Sequence, residues 1–139
     1  MTIYELVDIA LKISNRIDLQ WGLFISVHAA FLGAIVYIDR PLSRLEKLVA
    51  LIMYFGFAAI NYNQMDVQIQ LLGAVYQDIV LAIQQGGSDV LNIAQRFSVE
   101  ADMGRETISR RVVVAAHLLM SIIVLLSVIF DSKLPKRKE

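Results

Sequence analysis

The chain has no cysteine, two prolines and seven glycines in 139 residues. The lack of cysteine excludes disulfides, thiolate metal sites and a cysteine nucleophile. So few prolines leave room for long uninterrupted helices. Charge is scarce at 19%, and thirteen basic residues balance thirteen acidic ones. No net positive field points to nucleic acid. Also missing are a Ser-His-Asp order, a His-Glu-x-x-His pair, a glycine-rich phosphate loop and paired carboxylates within an apolar run. A non-enzymatic protein with no catalytic residues and no metal ligands is therefore expected. The acidic group Glu100, Asp102 and Glu106 does not alter this, because 100 and 102 do not share a helix face.

Apolar sequence is what the chain has in excess. Hydrophobic residues make up 57%, above the roughly 45–50% of soluble domains. They gather in three stretches without a charge: residues 19–38, 48–65 and 112–130. At 1.5 Å per residue, about 20 residues cross the roughly 30 Å hydrocarbon core of a bilayer. Trp21 and Tyr37 stand near the ends of the first stretch, where amphipathic rings prefer the interface. The opening Met1-Thr2-Ile3-Tyr4-Glu5 has no basic segment ahead of an apolar core, so the first stretch is expected to remain as a membrane span. The expected fold is an all-α, multi-pass bundle with spans at 19–38, 45–65 and 112–130, forming a single membrane domain.

The intervening segments are helical in period. Over residues 1–18, Ile3, Leu6, Val7, Ala10, Ile13 and Ile17 make one stripe, and Glu5, Asp8, Lys12, Asn15 and Arg16 the other. An amphipathic helix follows, packed on the protein or lying on lipid headgroups. Thr2-x-x-Glu5 and Ser43-x-x-Glu46 are capping boxes that announce helix starts. Residues 66–104 read as a helical hairpin outside the bilayer. Its first arm extends the second span, and Asp78 in mid-run argues against a fourth crossing. Leu72, Val75, Ile79 and Ile83 are expected to face Leu91, Ala94 and Phe97 across Gly86-Gly87, with further contacts to the N-terminal helix or another copy. A basic tail, 131–139, ends the sequence.

Three spans place the 39–47 turn and the tail on one side of the membrane, with Arg40, Arg44, Lys47, Lys133, Lys136, Arg137 and Lys138. Basic residues near span ends favour the cytoplasm. The N-terminus is then outside a plasma or bacterial inner membrane.

His28 and His117 carry the functional reading. Both sit a few residues inside a span that enters from the same side, at similar depth. Asn61, Tyr62 and Asn63 close the second span on that side. Ionisable groups within lipid are costly and call for an explanation. One reading is interhelical glue, each imidazole bonding a backbone carbonyl or a serine such as Ser26 or Ser121. A second is a hydrated path for protons or small cations. A third is a haem b between the helices, with the chain anchoring an electron-transfer partner. The small residues Ser26, Ala30, Gly33 and Ala34 form a close-approach face on the first span, expected to meet another helix of this chain or of a second copy. Three spans enclose no pathway alone, so membrane lipid and a homo-oligomer or partner membrane subunits are the expected company. A channel-like assembly or a subunit of a larger complex is the leading expectation.

Overall fold

The computed structural model describes residues 2–38, 40–86 and 105–130, with the backbone alone for Gly86 and 105–109. Its elements are three helices: α1 (Ile3–Tyr37), α2 (Arg44–Gly86) and α3 (Arg105–Ile129). All three are long and apolar enough to cross a membrane.

The helix starts follow the two capping boxes. Thr2 N–H donates to Glu5 Oε2 at 2.7 Å, and Glu5 N–H returns a bond to Thr2 Oγ1 at 3.3 Å. Ser43 and Glu46 repeat the exchange at 2.8 and 3.3 Å. Each pair satisfies two amide donors that the first turn leaves unbonded. Arg40 adds a two-pronged contact to Glu46, with Nη1 2.9 Å from Oε2, which fixes the turn ahead of α2.

The amphipathic segment and the first span are one helix, not two. Ile17-Asp18-Leu19-Gln20 contains no proline or glycine, so nothing stops propagation once the helix has nucleated. At 35 and 43 residues, α1 and α2 are about 50 and 65 Å long, well beyond the roughly 30 Å of a hydrocarbon core. α2 carries the second span onward without a break, as expected. α3 begins at Arg105, seven residues ahead of its uncharged run. The second arm of the expected hairpin, with Leu91, Ala94 and Phe97, lies outside the described residues.

Contacts divide the chain into two compact units, each containing parts of the same helices. One comprises residues 1–20 and 64–113. Leu6 and Ala10 of α1 meet Tyr76 and Ile79 of α2, with Ile3, Val7, Leu72, Val75 and Ile83 packed around them. The apolar stripe of residues 72–83 thus packs against α1, the N-terminal contact expected for it. Glu5, Asp8, Lys12, Asn15 and Arg16 are all exposed, so the sequence's amphipathic pattern appears as burial. Polar contacts in this unit link its segments. Arg110 Nε donates to Asp66 Oδ1 at 2.7 Å, Gln70 donates to Asp66 at 2.6 Å, and Gln20 donates to Gln64 at 2.7 Å.

The other unit, residues 21–63 and 114 onward, holds the uncharged runs. Ile35, Tyr54, Ala58, Val124 and Val128 form its apolar core. The inward positions step by four and three: Tyr54, Ala58 and Asn61 on α2, all buried; His117, Val124 and Val128 on α3, also buried, with Ser121 half-buried between them. This is the seam of nearly parallel or antiparallel helices. Leu23, Ile25, Ile52, Met53, Leu118, Leu119 and Ile122 all remain exposed. Outward apolar surface on this scale suits lipid, not water.

Candidate functional site

Two histidines lie at the centre of the second unit. His28 is 1% exposed and His117 7%. Phe24 precedes His28 by one turn of α1, so both point to the same side of the helix.

The bonds of His28 fix its tautomer. Its Nδ1 lies 2.5 Å from the carbonyl oxygen of Phe24, and its Nε2 lies 2.8 Å from the hydroxyl of Tyr54. A carbonyl only accepts, so Nδ1 carries the hydrogen. In the neutral ring, Nε2 then accepts from Tyr54 O–H. The Tyr54 oxygen lies 3.3 Å from Ser121 Oγ, whose hydroxyl is left to donate. The polar chain runs from Ser121 on α3 through Tyr54 on α2 to His28 on α1, and terminates at the Phe24 carbonyl. It joins all three spans.

His117 forms a separate link. Its Nε2–H donates to Asn61 Oδ1 at 3.1 Å, tying α3 to α2. Asn61 is 2% exposed, so the bond is sheltered from water and lipid alike. Tyr62 meets the His117 ring edge-on, with centroids 5.5 Å apart.

Phe24 stands between the two histidines. Its ring centroid is 4.1 Å from that of His28 and 4.4 Å from that of His117. This packing bears on haem. A haem shared by both imidazoles needs one nitrogen of each on its iron and a macrocycle between them. Here both Nε2 atoms are bonded within the chain, and the Phe24 ring occupies the space between. In this arrangement the residues do not fit a bis-histidine haem. Among the described residues, no three His, Asp or Glu side chains converge on a point that would hold a metal ion. Glu100, Asp102 and the Glu106 side chain lie outside the description.

Of the residues singled out by sequence, the structure brings Asn61 and Tyr62 to His117, and Ser121 to the Tyr54 hydroxyl. Asn63 is exposed and joins neither group. The small face is placed differently from one expectation. Ser26, Ala30, Gly33 and Ala34 are exposed and do not pack against α2 or α3 as a close-approach seam. A methyl group added at Gly33 or Gly22 would meet nothing within 4 Å. The reason lies in helical phase. At about 100° per residue, Gly33 lies about 140° around α1 from His28, so burial of the histidine turns the small residues outward.

Sequence reasoning missed Tyr54 and Phe24. Tyr54 precedes Asn61 by two turns on the same face of α2, and Phe24 precedes His28 by one turn. Both read as ordinary apolar residues until a polar partner is known to share their face.

No protein-family model, curated protein or solved structure matches this chain.

Proposed function

We propose that this chain is a non-enzymatic subunit of an oligomeric membrane assembly, in which the histidines clasp the spans together. The observation that carries the assembly is the outward face of α1. Gly22, Ser26, Ala29, Ala30 and Gly33 fall on one stripe opposite the buried histidine, all exposed and with open space at both glycines. Lipid tails are as apolar as leucine, so helices associate in a bilayer through close backbone packing, which such residues permit. A second copy is the occupant this reading assigns.

The clasp follows from where the polar chain ends. A proton relay needs an entry and an exit. The Phe24 carbonyl already belongs to the backbone and passes no proton onward. What the arrangement supplies is a set of satisfied donors and acceptors linking three helices, in a medium where an unsatisfied group costs several kcal/mol.

Because the chain has no cysteine, single cysteines report cleanly. Gly33→Cys in native membranes is expected to give a disulfide-linked dimer on mild oxidation. Leu119→Cys, on the exposed side of α3, is expected to give none. Equal cross-linking at both positions, or none at Gly33, would remove the seam.

In this reading the polar stretch of α2 beyond residue 65 lies outside the bilayer, and the 39–47 turn faces the cytoplasm with the tail. Gln70, Asp78 and Gln85 are all exposed. Cysteines placed at these three positions should react with a membrane-impermeant maleimide from the same side. Labelling of 70 and 85 from opposite sides would establish a further crossing.

A further inference from the structure

The charges that bracket the uncharged run of α2 reach across to α3. Lys47 is the last charge before residues 48–65, and Asp66 is the first after them. Lys47 Nζ donates to the carbonyl oxygen of Ile129, at the end of α3, at 3.2 Å. The last carbonyls of a helix lack partners within it, so a cation there caps the end and complements the helix dipole. Asp66 receives Arg110 from near the start of α3, with Nε 2.7 Å from Oδ1 and Nη2 3.3 Å from Oδ2. Gln70 holds the same carboxylate at 2.6 Å. Each tie lies within one compact unit.

The ties have the same spacing on both helices. Lys47 to Asp66 on α2 and Arg110 to Ile129 on α3 cover the same number of residues, about 28 Å of helix at 1.5 Å per residue. That is the register of an antiparallel pair, and the contacts of Tyr54 with Ser121 and of Asn61 with His117 keep it. On α1, Gln20 donates to Gln64, just before Asp66, at 2.7 Å. From Gln20 to Ile38 the chain holds no charge and covers about 27 Å of helix.

We infer that these ties fix one hydrophobic length of about 28 Å, and that the chain is matched to bilayers whose hydrocarbon core has that thickness. A lone helix meets a bilayer of another thickness by tilting on its own. Helices joined at both ends cannot tilt or slide separately. A thicker core would draw Lys47, Asp66 and Arg110 into hydrocarbon, where charge is costly. A thinner one would bring the exposed Leu48 and Ile129, at the ends of the runs, out among the headgroups. In water a part-exposed ion pair contributes little. The consequence of this one is the length it sets. The inference rests on the membrane reading of the helices and does not depend on the α1 seam.

The test uses the full chain, reconstituted into vesicles of dimyristoleoyl, dioleoyl or dierucoyl phosphatidylcholine. These share a headgroup and rise in thickness in that order. Wild type is expected to unfold at its highest temperature in the dioleoyl bilayer and about 5 °C lower in the other two. Lys47→Gln, Asp66→Asn and Arg110→Gln together remove the ties and their charges, and should at least halve the drop in the dierucoyl bilayer. The reversed pair, Asp66→Arg with Arg110→Asp, rebuilds one tie and should keep the wild-type dependence, which separates the tie from a general loss of fold. Resistance to alkaline extraction, checked for every variant, separates a failed length from a failed membrane reading. An unfolding temperature indifferent to the lipid, or rising steadily to the thickest bilayer, would overturn the proposal. So would a neutralised variant that keeps the full wild-type dependence.

Discussion

Replacing His28 with alanine is expected to lower stability by about 3 kcal/mol, a sum of the cavity left by a buried ring and the hydrogen bond lost. His28 is 1% exposed, so lipid or water does not readily replace it. The variant strands the Tyr54 hydroxyl with its donor unused and leaves Phe24 without the ring 4.1 Å away. Tyr54→Phe tests the same chain from its middle, because it removes the links to His28 and Ser121 while keeping the aromatic packing. It should cost about 1–2 kcal/mol. The two changes share a partner, so the double variant should fall short of their sum by about 1 kcal/mol. Thermal or denaturant unfolding in a single detergent measures all three. A strictly additive pair, or a His28→Ala variant as stable as wild type, would show that the imidazole does not clasp the spans. His28→Gln, which restores an acceptor for Tyr54, should recover part of the loss.

The second large effect is expected in the other unit. Ile79 is 0% exposed and packs against Leu6, Ala10 and Tyr76. Ile79→Ala should cost about 3 kcal/mol, and Ile79→Val about 1 kcal/mol, as buried side-chain deletions do. Leu71, two turns earlier on α2 and 48% exposed, is the control: Leu71→Ala should change stability by less than about 0.5 kcal/mol. Limited proteolysis gives a second readout, since loosening α1 from α2 here opens the backbone near the polar residues 66–85 before the whole protein unfolds. Equal effects at 71 and 79 would mean that this pairing of α1 with α2 contributes little.

Much of the architecture was legible in the residues, and the reasons differ by element. The three apolar runs were plain because a bilayer imposes a length and excludes charge. Both capping boxes were legible because their spacing is local, three residues with specific side chains. The stripe Leu6, Ala10 and Ile13 was readable as a buried face, and the stretch after the second span as one of two expected covers, but the residue-by-residue pairing was not. Its partner lies some 70 residues away, and periodicity carries no address. The change of composition between residues 18 and 19 falls close to where the chain passes from one compact unit to the other, but it does not end the helix, because continuity depends on the backbone and nothing there breaks it. The histidines drew attention through the cost of burying them, which is also why Asn61 and Tyr62 stood out. Tyr54 did not, since a tyrosine within a span has an apolar body and only a polar tip. The outward turn of Gly33 follows from the inward turn of His28 by helical phase alone. Two plausible buried faces competed on one helix, and the imidazole prevailed because leaving it in lipid is costly while leaving glycine there costs little.

The order of the polar contacts along the chain also bears on how the protein is made. His28 and Tyr54 are 26 residues apart, so they meet as soon as the first two helices are inserted. Asn61 and His117 are 56 apart, and Ser121 follows Tyr54 by 67. During synthesis the α1–α2 pair therefore exists before α3, with the His28–Tyr54 bond already possible. Membrane helices form first and associate afterwards. The last helix then brings His117 and Ser121 on one face, one turn apart, to Asn61 and Tyr54 of the pair already in place.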